Sequence, residues 1–124
     1  YVPHSRHTET KKEDIALVKE LQILSYSEIS GVHLVADMDC RNFYCTGHSE
    51  YDSDTLAREY FRDLHRGLDI KLPYNYFPND DTQLTPPLTW RGPGSLLFQN
   101  WLNYFVYQTT PYDIMSIGQE ENEE

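Results

Sequence analysis

Two residues in the stretch Cys45-Thr46-Gly47-His48-Ser49-Glu50-Tyr51-Asp52 have the types and spacing for proton-transfer chemistry. A carboxylate at Glu50 can accept a hydrogen bond from one ring nitrogen of His48, fix its tautomer and leave the other nitrogen free as a general base. On an extended segment, positions i and i+2 face the same side, so the strand end before the pair aims both side chains one way. Ligand sites in α/β folds also lie beyond the C-terminal ends of strands. Taken alone, His-x-Glu is a weak signal, and an exposed pair in a turn is its commoner source. A metal site is a poorer reading, because no third ligand stands at zinc spacing. A base also needs a nucleophile to activate. Cys45 is the one nearby thiol, but three residues earlier on the same expected strand it points to the opposite face.

The elements that must position this pair follow from period and punctuation. Residues 1–10 read as a loop, and 11–21 as a short helix with a weak apolar pattern. Three apolar runs, 21–26, 31–36 and 42–46, are separated by turn residues and read as a β-meander. A helix follows, with Asp52 or Ser53 as its cap, Leu56, Tyr60, Phe61 and Leu64 at helical spacing, and Gly67 as its stop. Residues 68–95 read as a long loop, punctuated by Pro73, Pro78, Pro86, Pro87 and Gly92-Pro93-Gly94. The last helix runs from 95 to about 108, before Pro111. Its stripe of Leu97, Trp101, Tyr104 and Phe105 is core or subunit interface. Strands feeding helices predict an α/β layer arrangement. Three short strands and two helices make a thin core, and both the helices and the sheet call for more partner surface.

Length and charge narrow the function classes. The 124 residues fit one domain, and 39% hydrophobic with 14% aromatic content supports a packed core. No apolar run approaches the ~20 residues that cross a bilayer. No signal peptide is visible, and the opening at Tyr1 rather than Met hints at processing or a fragment. The net charge is −10, and residues 120–124 hold four of the acidic groups, which leaves −6 on the body. Such a surface repels nucleic acid and anionic membranes. The acidic tail reads as solvated. Cys40 and Cys45 lack the spacing of a zinc or redox motif and, five apart on one strand, would face opposite ways; neither a disulfide nor a metal is expected, and two lone thiols suit a reducing cytoplasm.

Three longer motifs carry a resemblance. Residues 46–63 (TGHSEYDSDTLAREYFRD), 76–81 (YFPNDD) and 96–113 (LLFQNWLNYFVYQTTPYD) resemble homoserine O-acyltransferases, which acetylate or succinylate homoserine for methionine biosynthesis. The likeness runs from about Val2 to Ile114 and covers only the C-terminal part of the family's usual chain. It implies a flavodoxin-like three-layer sandwich of the class I glutamine amidotransferase type, with residues 1–117 as its C-terminal part and 118–124 as an acidic tail. It also implies a Cys-His-Glu site, in which a cysteine is acylated by acyl-CoA and passes the acyl group to the homoserine hydroxyl.

On that likeness His48 is the general base and Glu50 its orienting carboxylate. Arg62 grips the amino-acid substrate, and a guanidinium can hold a carboxylate bidentately. Ser5 contacts substrate and bears on substrate choice. By themselves Arg62 would read as a helix-face salt bridge and Ser5 as a turn serine. The nucleophilic cysteine matches neither Cys40 nor Cys45, and is implied upstream, with a substrate-binding lysine and the residue that governs the acyl choice. The implied partners are L-homoserine and acetyl-CoA, with succinyl-CoA as the alternative, acyl-CoA being a co-substrate and no cofactor being expected. A cytoplasmic enzyme, with a homodimer as one option, is the corresponding picture. An inactive fragment or partner-binding remnant is the alternative of another class, and an unrelated small binding domain the third.

Overall fold

Residues Leu21–Ser27 (β1), Gly31–Asp37 (β2) and Phe43–Cys45 (β3) form a three-stranded antiparallel sheet in the order β1-β2-β3. The expected meander is therefore the observed one, in a computed structural model that describes residues 1–111 and 113–117. The expected acidic tail, 118–124, lies outside the described residues. Turn chemistry sets the strand ends. The Ser27 hydroxyl accepts from the backbone N–H groups of Ile29 and Ser30, and Gly31 takes the positive φ of +73° that closes the first turn. Asp37 closes the second by accepting from the backbone of Arg41 (2.8 Å) and the Asn42 side chain (2.6 Å). Cys40 sits inside that turn, so the two cysteines do not share a strand; both thiols are free.

β2 is paired on both sides and holds the buried Val32, Val35 and Ala36. Branched side chains suit such a covered strand. Ile15, Leu21 and Ile23 pack on Val32 and Val35 to form one small core. Ile15 comes from a single helical turn, Lys12–Ile15 (α1), and not from a helix over 11–21. Leu17 and Val18 are exposed, so nothing apolar rewards a longer helix there, and the chain enters β1 at Leu21 in register with Asp37.

The second core lies on the helix Thr55–His65 (α2), whose Leu56 and Ala57 pack with Tyr76, Phe77 and Trp90. The segment read as a long loop is thus folded back over α2. Tyr76 pins it there: its hydroxyl donates to the Ser53 carbonyl and accepts from the Ala57 N–H. Neither Asp52 nor Ser53 caps α2. Asp54 stands at the N-cap without a side-chain capping bond and pairs with Arg58 at 3.4 Å, while the Asp52 carboxylate pairs with Arg91 at 2.8 Å.

The last helix, Arg91–Trp101 (α3), begins four residues before the expected start. Pro93 is tolerated because N–H groups of a first turn have no partner within the helix. α3 continues through a π-helical turn, Leu102–Val106, into Tyr107–Thr109 (α4). Phe105 meets Phe43 edge-on at 4.8 Å and Leu97 is half-buried, but Trp101 (38% exposed) and Tyr104 (69%) remain open to solvent, as does Leu96 beside them in sequence. The apolar stripe is thus partly uncovered among the described residues. Among the described residues, no helix is long and apolar enough to cross a membrane. The architecture is a small α/β domain.

Candidate active site

His48 leaves β3 through a close-packed bend. Thr46 N–H still donates to the His33 carbonyl of β2 at 2.9 Å, and at Gly47 the chain passes between β2 and the N-terminal segment. A Cβ at Gly47 would lie 2.7 Å from His33 Nδ1 and 2.9 Å from Val2 Cγ2, so only glycine fits without displacement. The His48 N–H then donates to the Pro3 carbonyl at 2.8 Å, and the Tyr51 N–H to the His48 carbonyl at 3.3 Å. His48 and Glu50 therefore meet across a turn, not as alternate residues of a strand.

Within that turn His48 Nδ1 and Glu50 Oε1 are 2.8 Å apart. The side chains are 34% and 64% exposed. No hydrogen bond to Nε2 is made among the described residues, which leaves that nitrogen available to a substrate. Desolvation pushes the Glu50 carboxyl up, but its hydrogen bond from His48, its own backbone and the imidazole charge outweigh this and hold it below the ordinary value. Glu50 thus stays ionised and suited to orient the ring.

The imidazole lies flat on Tyr51, with ring centroids 4.4 Å apart and planes 14° apart. The Tyr51 hydroxyl donates to Glu59 Oε1 on α2 at 3.0 Å. Desolvation, then the Glu59 hydrogen bond and charge, raise the Tyr51 pKa, while hydrogen bonding from Ser5 pulls it the other way. Glu59 Oε2 is buried and lacks a partner among the described residues, as does His4 Nδ1.

One helical turn beyond Glu59, Arg62 meets Asp63 through two bonds, Nε to Oδ1 at 2.7 Å and Nη2 to Oδ2 at 3.0 Å. These bonds, chiefly, hold the Asp63 carboxyl low and the guanidinium high; the charges of Glu59 and Tyr51 also bear on Arg62. Asp63 is buried, with Arg66 at 3.9 Å and the His7 ring at 3.6 Å beside it. The structure thus brings His48 together with Glu50 and stacks it on Tyr51, while Arg62 is engaged by Asp63. Ser5 and Glu59 also line a cleft of about 310 Å³, while His48 and Arg62 stand outside it.

Cys45 has no part in this arrangement. Its Sγ lies 3.9 Å from His33 Nδ1 and donates to the Gly47 carbonyl. Burial, reinforced by the Glu50 charge, raises its pKa, the reverse of what a nucleophilic thiol needs. His33 in turn meets His4 edge-on at 5.6 Å. Burial, then the charges of Arg6, His33 and His48, lower the His4 pKa to about 4. Among the described residues, no group of three or more His, Cys, Asp or Glu side chains could hold a metal ion.

Tyr51 and Glu59 are the parts that spacing did not single out. Tyr51 stands within the quoted motif, three residues after His48, but its contact with Glu59 depends on how α2 folds back.

A family model described as homoserine O-succinyltransferase matches residues 1–112. Curated relatives include the homoserine O-acetyltransferase of Brevibacillus brevis, 56% identical over 114 residues, or 92% of this chain and 37% of that protein. The homoserine O-acetyltransferase of Desulfitobacterium hafniense (strain Y51) is 58% identical over 118 residues, 95% of this chain and 38% of its own length. That of Petrotoga mobilis is 54% identical over 119 residues, 96% and 38% respectively. The chain thus spans under two-fifths of the length of these relatives.

Proposed function

The chain belongs to the homoserine O-succinyltransferase family, and we propose that it supplies the proton-transfer side of a thiol-mediated acyl transfer from acetyl-CoA to the hydroxyl of L-homoserine, a step of methionine biosynthesis. The observation that carries this reading is the 2.8 Å contact of His48 Nδ1 with Glu50, with Nε2 left for the reacting group. In the first half-reaction Nε2 takes the proton of a cysteine thiol provided from outside these 124 residues. The thiolate attacks the thioester carbonyl, and the CoA sulfur leaves with that proton. In the second, Nε2 takes the homoserine hydroxyl proton as that oxygen attacks the acyl-cysteine, and the departing cysteine sulfur is reprotonated. Glu50 stabilises the imidazolium that forms each time.

Arg62 and Ser5 are assigned to substrate binding. Asp63 takes Nε and one side of Nη2, so the substrate carboxylate would meet the guanidinium on its remaining Nη1 side. Acetyl is preferred to succinyl because the named relatives are O-acetyltransferases, although the family model carries the succinyl description. Residues 1–117 are read as the C-terminal part of a flavodoxin-like, glutamine amidotransferase-like sandwich whose remaining chain covers the exposed α3 face. The two free thiols fit a cytoplasmic enzyme, and the α3 face also suits a homodimer.

A second reading, an inactive remnant that binds a partner, draws on the short coverage and on the poor nucleophilicity of Cys45. The reading frame upstream of Tyr1 separates the two: a cysteine-bearing α/β half supports the enzyme, and a stop codon the remnant. Kinetics on the protein expressed from its whole reading frame then test the base. His48→Ala is expected to lower kcat by about 10³-fold, and a kcat equal to the parent's rejects the assignment.

A further inference from the structure

We propose that Tyr51 is a positioning residue for the His48 base, a role that rests on the catalytic reading above. The bond to Glu50 fixes only one edge of the imidazole, and Glu50 is 64% exposed, so that contact by itself leaves the ring free to swing. The Tyr51 ring supplies the second constraint by covering one face of the imidazole at 4.4 Å and 14°. An edge contact and a face contact together fix where Nε2 points.

Tyr51 can serve as this shelf because it is held at both ends. Its hydroxyl is bonded to Glu59 at 3.0 Å, and its backbone carbonyl accepts from Trp90 Nε1 at 2.9 Å. Glu59 belongs to α2, and Trp90 is buried in the core that α2 shares with the folded-back segment. The base is thereby referred to the same helix that carries Arg62. Hydrogen bonding from Ser5 acts to lower the Tyr51 pKa, and the Tyr51 charge helps to raise that of Arg62; Ser5 and Arg62 are the two residues that the functional reading gives to substrate.

The test uses the protein expressed from its whole reading frame, with the single variants Tyr51→Leu, Tyr51→Phe and His48→Ala and the double variant Tyr51→Leu/His48→Ala. Tyr51→Leu removes the shelf and is expected to lower kcat by roughly 10- to 100-fold, the scale of a misplaced catalytic group, while KM for acyl-CoA stays at the parent value. Tyr51→Phe keeps the ring but loses the Glu59 bond, and is expected to recover most of that loss and remain about threefold slow. The double variant is expected to be no slower than His48→Ala, because Tyr51 acts through His48. Nitrogen-15 spectra of His48 should show a single tautomer in the parent and an averaged signal in Tyr51→Leu.

Parent-like kcat in Tyr51→Leu, or losses that multiply in the double variant, overturns the proposal. If Tyr51→Leu does not fold, Tyr51→Phe decides by itself, since an unchanged kcat removes the Glu59 anchor on which the shelf depends. An active His48→Ala enzyme rejects the catalytic reading instead, whereas an inactive one beside unaffected Tyr51 variants rejects only this inference.

Discussion

At the scale of single residues, the His48–Glu50 contact contributes little to folding. A solvent-exposed contact of this kind is worth about 0–1 kcal/mol, and here Glu50 is 64% exposed beside a half-buried His48. On the proposed function the contact's effect belongs to catalysis, where holding the tautomer would decide whether Nε2 can accept a proton. Glu50→Gln is therefore expected to leave the urea unfolding midpoint unchanged and to lower kcat by about tenfold or more, ~1.4 kcal/mol of transition-state stabilisation; unchanged kcat argues against the orienting role. Burial at His4 has the opposite consequence, a stability effect without chemistry. Its folded-state pKa of about 4 lies below the ordinary histidine value of 6.5, so between these limits the unfolded chain binds the extra proton. Stability is full above pH 6.5 and falls as the pH drops towards 4. His4→Gln should flatten that slope in urea titrations, and an unaltered slope assigns it to other groups. His48 and Glu50 were legible because a turn joins close neighbours in sequence. Arg62 was legible in type, but its engagement by Asp63 was seen only in three dimensions, as was the bond from Tyr51 to Glu59.

At the scale of elements, close approach sets the site. Gly94 of α3 is buried against the turn that carries His48, and a Cβ there would sit 2.6 Å from Ser49 Cβ. Alanine improves helix propensity by about 1 kcal/mol, but such a clash costs about 1–3 kcal/mol. Gly94→Ala should therefore lower the unfolding midpoint and also slow turnover by displacing the Ser49 turn. Gly92→Ala, which meets nothing within 4 Å, should do neither and gain slightly. Equal effects at the two positions contradict this packing account. The same contact explains why the sequence misplaced the start of α3. Gly92-Pro93-Gly94 has the composition of a loop, yet proline is compatible with a first helical turn and Gly94 is needed for proximity to Ser49. The β-meander was legible because strand runs and turn residues alternate locally. The helix expected over 11–21 forms only as the single turn Lys12–Ile15, since Leu17 and Val18 find no core and Leu21 reaches it as the first residue of β1.

At the scale of the whole molecule, two small cores stand beside an apolar helix stripe that the described residues cover only in part. Trp101 and Tyr104 of that stripe are 38% and 69% exposed. An exposed patch of this kind marks a surface built for contact, in accord with a chain that spans 37–38% of its relatives' length. The call for more partner surface was legible in the sequence as two helices and three short strands with too little to pack against. What covers the face was not, because a stripe of Leu97, Trp101, Tyr104 and Phe105 specifies apolar contact without specifying its source. The acyl transfer proposed above likewise needs a nucleophile, and burial raises the Cys45 pKa away from the range that favours a thiolate. The most direct measurement is time-resolved mass spectrometry of the intact protein, expressed from its whole reading frame and mixed with acetyl-CoA, in parent and His48→Ala forms. The account predicts rapid gain of one acetyl group on a cysteine outside these 124 residues in the parent, and acetylation about 10³-fold slower in the variant. Acetylation at the same rate in both, or none in an active parent, contradicts it.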